Sequence, residues 1–163
     1  MIISNNLVGK LPLPEETIIR INLAWIDSYE TAQALISSSE HEIYLDYPDG
    51  RKKPPRGILS LTEAIQLSKL PKVKYFAVSN CEDVNKIDEI RSQIDVEFVP
   101  KIETLNGVKN MMAMVGSGIK TFMLDKEDLY TDVKCDSATF TALVEEARKT
   151  PAKVLELKGV IFD

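Results

Sequence analysis

Apolar and polar residues alternate with a period of two in several short stretches, and helical spacing fills the segments between them. In Thr17–Trp25, Ile19, Ile21, Leu23 and Trp25 fall on one face, and Arg20, Asn22 and Ala24 on the other. In Val96–Glu103, Val96, Phe98, Pro100 and Ile102 oppose Glu97, Val99, Lys101 and Glu103. A period of two is the mark of a strand with two unlike faces. Glu42–Tyr47, Lys74–Ser79, Lys120–Leu124 and Lys153–Phe162 read as further strands, and Met1–Ser4 is a candidate seventh. Helices are predicted over Ser28–Ser37, Leu61–Lys69, Glu82–Gln93, Leu105–Val115 and Ser137–Lys149. Ser60 and Glu63 have the spacing of a capping box at one helix start. Pro71 and Pro151 close two of the helical stretches. Strands alternating with helices predict parallel β/α units.

Composition narrows the class. The 163 residues suggest one domain, and 44% hydrophobic with 28% charged residues is ordinary for a soluble globular protein. A net charge of −5 argues against nucleic acid as a partner. No apolar run reaches the roughly 20 residues of a membrane span, and no signal-peptide pattern opens the chain. A cytoplasmic protein with no membrane partner is expected. Cys81 and Cys135 are far apart in no metal-ligand spacing, which suits free thiols.

The candidate chemistry lies in Val99–Asn110 and Phe122–Leu129. Lys101 and Glu103 are two residues apart and project from one strand face. A Gly-Val turn and a helix follow, and a second apolar strand runs into Asp125, Glu127 and Asp128. Carboxylates at the ends of consecutive strands, with a lysine beside one, suit a hard divalent cation and an anionic substrate. The other signals are weaker. Gly116-Ser-Gly118 sits where a helix must stop before a strand and reads as a turn. Arg51, Lys52, Lys53 and Arg56 read as a solvated basic loop. His41 is the only histidine, and no Ser-His-Asp or Cys-His set suggests itself.

These segments resemble the phosphoenolpyruvate/pyruvate superfamily of barrels. Lys101-Ile-Glu-Thr-Leu-Asn-Gly-Val-Lys-Asn110 and Met123-Leu-Asp-Lys-Glu-Asp-Leu129 are similar to the Lys-Ile-Glu and Met-Val…Asp-Leu patterns of pyruvate kinases, and citrate-lyase-type aldolases have a close version. Ile18-Ile-Arg-Ile-Asn22, Ile43-Tyr-Leu-Asp-Tyr-Pro-Asp-Gly-Arg51, Leu61-Thr-Glu63 and Ala77-Val-Ser79 with Glu82-Asp-Val84 follow in the family's order. The resemblance covers residues 17 to 163. It implies an α/β fold, a TIM-type (β/α) barrel with parallel strands and outer helices. Complete barrels take roughly 250 residues, so this one is expected to be shortened or incomplete, a single domain over 1–163 without the family's lid and C-terminal domains. The active site of such a barrel lies at the carboxyl ends of the strands, where Asn22, Asp46, Ser79, Glu103 and Asp128 are expected.

The resemblance further implies Mg²⁺ or Mn²⁺ on Glu103 and Asp128. Lys101 would lie beside a transferred phosphoryl group or enolate, and Arg20 at the phosphate end of the substrate. Asn22, Asp46 and Ser79 would complete the substrate site. The substrate would be a small-molecule keto acid or enolpyruvate, handled through an enolate by lyase, aldolase or phosphotransferase chemistry. Some positions depart from the family. Ala24 replaces a serine that helps bind K⁺, which puts that ion in doubt. Glu127 replaces a glycine that lets backbone approach the substrate, and Lys158 aligns with a threonine. Ordinary ADP phosphorylation is therefore not expected. The alternative is a catalytically inactive barrel serving as a binding or assembly module. Unpaired edges of an incomplete barrel invite association, so a homo-oligomer, most simply a homodimer, is expected.

Overall fold

A computed structural model of the chain describes residues 2–4, 13–50, 54–55 and 57–156. Seven parallel strands stand in chain order: β1 (Ile2–Ser4), β2 (Ile18–Asn22), β3 (Glu42–Tyr47), β4 (Val73–Val78), β5 (Glu97–Ile102), β6 (Thr121–Leu124) and β7 (Lys153–Glu156). The crossovers carry helices α1 (Tyr29–Ser38), α2 (Leu61–Ser68), α3 (Val84–Arg91) and α4 (Leu105–Gly116), and then α5 (Lys126–Asp132) and α6 (Ser137–Arg148) between β6 and β7. The longer strands curl into a half-barrel with helices, an incomplete α/β barrel of shortened TIM type.

The two faces of the sheet carry different cores. Ile19, Ile21, Ile43, Leu45, Phe76, Phe98, Ile102 and Phe122 belong to one buried apolar cluster with the helices. Tyr44, Tyr75, Ala77, Val99 and Met123 form a second cluster on the opposite strand face. The interior is therefore packed, as in complete barrels. Tyr44 and Tyr75 rings lie 6.0 Å apart, and the Tyr44 hydroxyl is 3.4 Å from the Met123 sulfur. The Ser60–Glu63 capping box opens α2 as predicted.

Between β3 and β4 the register slips by one. Ile43 faces Val73, but Tyr44 faces Tyr75, so Lys74 is an extra residue on β4. This bulge lets both Val73 and Phe76 face the helices while Tyr75 and Ala77 face inward.

Two expectations need correction. The first strand was expected to reach Trp25, but it ends at Asn22 and a 3-10 turn follows over Leu23–Trp25. The Asn22 side chain accepts the Ala24 N–H at 2.9 Å and stops the strand. Trp25 is 62% exposed and does not join the helix-facing core. Second, the acid run after β6 is the cap and first turn of the unpredicted helix α5. The last predicted strand is present over Lys153–Glu156; its remainder, Lys158, Arg51, Lys52, Lys53 and Arg56 lie outside the described residues.

Candidate metal and anion site

The inward face changes character at the carboxyl ends of the strands. Arg20 on β2 reaches across to Asp46 on β3, with Nε 2.8 Å and Nη2 2.5 Å from Oδ2. Lys101 on β5 lies 3.3 Å from the same Asp46 oxygen, 2.9 Å from Glu103 Oε1 and 3.9 Å from Asp125 Oδ2. Its ammonium also donates to Ser79 Oγ at 3.1 Å. The parity of the strands explains this convergence. Arg20, Asp46, Ser79, Lys101 and Glu103 all fall on the inward face, one or two residues from a strand end.

The acid side is built by β5 and β6. Asp125 N–H donates to Ile102 carbonyl at 3.0 Å, extending the ladder by one step beyond Leu124. This sets Asp125 beside Glu103. Asp125 also caps α5, its Oδ1 accepting the Asp128 N–H at 3.3 Å. The i, i+3 spacing of a capping turn brings the Asp125 and Asp128 carboxylates to the same place. One oxygen each of Glu103, Asp125 and Asp128 lies within 4.8 Å of the others. Glu103 is further held through Oε2, which accepts the Asn80 backbone N–H at 2.8 Å.

Burial makes the charges matter. Asp46, Lys101 and Glu103 are 1%, 3% and 5% exposed. Burial alone would raise the Asp46 carboxyl, but Lys101 and Arg20 outweigh it and hold it below its usual value. Burial would likewise strip the proton from Lys101, and Asp46 and Glu103 reverse this, so the ammonium is retained. Glu103 goes the other way: burial raises it, Lys101 opposes, and the nearby Asp125 adds to the rise. The Cys81 thiol is pushed up to about 12, mainly by burial, and is no nucleophile at neutral pH.

The set as a whole is acidic. Two cations, Arg20 and Lys101, face four carboxylates, Asp46, Glu103, Asp125 and Asp128. The three carboxylates that converge, Glu103, Asp125 and Asp128, match a divalent cation in sign. All-oxygen donors suit a hard ion such as Mg²⁺ or Mn²⁺. The donor set therefore fits the metal implied by the sequence motifs.

Of the residues singled out from sequence, Arg20, Asp46, Ser79, Lys101 and Glu103 meet in one network. Asn22 stands beside Asp46 in register, but its Oδ1 is engaged as a cap. Asp128 was expected at a strand end and instead lies in the first turn of α5. Asp125 joins the cluster although it was not assigned as a ligand. Its signal was its place at the first polar position after an apolar strand.

No protein-family model and no curated protein matches the chain by sequence. Among solved structures it is similar to macrophomate synthase, with TM-score 0.64 and 12% identity over 87% of this chain and 63% of that one. It is also similar to RipC from Yersinia pestis, with TM-score 0.59 and 16% identity over 85% of this chain and 68% of that one. The chain thus spans less than two thirds of the macrophomate synthase chain. At such identities the likeness establishes the incomplete barrel fold. The finer resemblance to pyruvate kinase has no sequence-family match behind it.

Proposed function

We propose that the chain is a divalent-metal-dependent enzyme that acts on a 2-keto acid or phosphoenolpyruvate-type substrate through an enolate. The observation that carries this reading is the convergence of Glu103, Asp125 and Asp128 around a shared point beside the buried Lys101 ammonium. Macrophomate synthase, one of the structural neighbours, belongs to the phosphoenolpyruvate/pyruvate superfamily, which agrees with the motifs. Bound there, Mg²⁺ or Mn²⁺ would supply a Lewis acid for a chelating 2-oxo acid and its enolate. Lys101 is the fixed positive charge positioned to face a developing oxyanion. Ser79 orients the Lys101 ammonium by accepting one of its hydrogens. Asp46, tied to Arg20, keeps that lysine protonated.

Calorimetric titration with Mn²⁺, with and without oxalate, tests the site. The expected result is binding that oxalate tightens. No heat in either titration removes the metal and the reaction class with it. Metal-dependent exchange of the pyruvate methyl protons with D₂O then tests the enolate chemistry.

A second reading, a catalytically inactive binding or assembly module, has its own support. Arg20 already donates twice to Asp46 Oδ2, and Glu127 stands in the first turn of α5 next to Asp128. Metal binding without any methyl-proton exchange favours this module. In either reading we take the half-barrel to work as a homo-oligomer, with the outer edges of β1 and β7 covered between copies. Light scattering at micromolar concentration checks this, and a monomer removes it.

A further inference from the structure

We infer that Asn80 is a positioning residue that ties the loop after β3 to the carboxylate of Glu103. This deepens the metal-site reading given above and rests on it for its functional meaning. The backbone carries the first part of the argument. Ser79 N–H donates to Tyr47 carbonyl on β3 at 3.1 Å, and Cys81 N–H donates to Lys101 carbonyl on β5 at 3.3 Å. The N–H between them does not join either ladder. It is turned onto Glu103 Oε2 at 2.8 Å. That diversion requires Asn80 to adopt φ +53°, the left-handed region. Asparagine enters this region more readily than other residues with a Cβ.

The side chain carries the second part. Asn80 Nδ2 donates to the Asp49 carbonyl at 2.7 Å. Asp49 is itself ion-paired with Lys86 on α3. Gly50 follows at φ +62°, a backbone angle that L side chains rarely adopt, and a Cβ there would be in ordinary contact with Asn80 Nδ2 at 3.5 Å. One residue therefore holds Glu103 with its backbone and the β3–α2 loop with its amide. Glycine at position 80 would accept the same backbone angle and keep the N–H, but not the tether. Asparagine is the residue that supplies all three.

The consequence is that the geometry of Glu103, and through it that of Lys101, follows the state of the loop. Outer partners of a metal ligand typically control about tenfold to a hundredfold of metal affinity. The test compares wild type with Asn80→Gly, which removes the tether and adds no strain. Mn²⁺ affinity by electron paramagnetic resonance, thermal unfolding, and amide hydrogen exchange at position 80 without metal are measured together. Expected are a fall of about tenfold in Mn²⁺ affinity, faster exchange at position 80, and a melting temperature close to that of wild type. A parallel Lys86→Met variant, which leaves the Asn80 contacts in place, should change Mn²⁺ affinity less than Asn80→Gly. Unchanged affinity and unchanged exchange in Asn80→Gly overturn the inference. A wild-type protein that binds no Mn²⁺ overturns the metal reading alone, and the exchange comparison then decides whether Asn80 holds Glu103.

Discussion

The ends of β2 and β3 and the ends of β5 and β6 use the same kinds of side chain to opposite effect. Arg20 and Asp46 meet as one cation and one anion, both buried, with two short contacts through a single oxygen. Lys101 bridges this pair to the other end, where Glu103, Asp125 and Asp128 outnumber it. The first pair is electrically closed. The second group gathers three carboxylates around one lysine. Buried ion pairs add little net stability but cost a great deal when halved. Carboxylates drawn together repel one another, and a cation bound among them would relieve that repulsion.

Breaking the closed pair should have the largest effect. Arg20→Met leaves Asp46 buried, and we predict a loss of about 3–5 kcal/mol in urea unfolding. The double variant Arg20→Met/Asp46→Leu should recover much of that, since no lone charge remains. A loss under about 1 kcal/mol in the single variant would show that Lys101 alone satisfies Asp46. On the acid side, Glu103→Gln should weaken Mn²⁺ by about a hundredfold, ~2.7 kcal/mol, measured by calorimetry. Equal affinity in both proteins would remove Glu103 as a ligand.

Asp125 caps α5 and is a proposed metal ligand, and two substitutions separate these roles. Asparagine caps helices as well as aspartate. Asp125→Asn should therefore lower Mn²⁺ affinity about tenfold with the melting temperature preserved. Asp125→Ala should lose the cap as well, about 1 kcal/mol of stability. If the asparagine variant binds Mn²⁺ like wild type, Asp125 is a cap only.

The smallest expected effect is in the pH dependence, where the two ends should slope in opposite directions. The Asp46 carboxyl is held below its ordinary 3.8 because Lys101 and Arg20 outweigh burial. Its contribution is present above that value and is lost as pH falls through the lower, folded one. Glu103 is raised above its ordinary 4.5, chiefly by burial. The folded protein then binds this proton more tightly than the unfolded chain, and stability falls as pH rises from 4.5 through the folded value. Urea stability measured across this range should lose its acid limb in Asp46→Asn and its fall above 4.5 in Glu103→Gln. Parallel curves for all three proteins would mean that neither carboxyl is perturbed.

The fold was legible because alternation is a direct image of a two-faced strand. Phe98 and Ile102 face the helices and Val99 faces inward, as their parity requires. The site was legible as far as strand ends carried polar residues on the inward parity. It was less legible where helix caps were involved, because aspartate and asparagine serve as cap and as ligand with the same atoms. Asn22 reads as a strand residue and is a cap. Asp125 reads as part of an acid run and is both cap and cluster member. Helix α5 escaped notice because Leu129 is its one buried residue, which leaves no apolar stripe to read. The Asn80 turn has no sequence mark beyond an asparagine after a strand.

The extra residue on β4 has a consequence for how this chain can vary in length. Removing one residue from a strand ordinarily turns every later side chain to the wrong face, much as a lost nucleotide shifts a reading frame. Lys74 is the exception, because its position is the one β4 does not need for pairing with β3. Without it, Val73, Tyr75, Phe76, Ala77, Val78 and Ser79 alternate without a break, and Ser79 still points toward Lys101. What would go is a surface ion pair with Glu42 at 2.8 Å and a cation above the Tyr75 ring. The strand thus holds a spare letter at its far end, and a chain one residue shorter there would spell the same site.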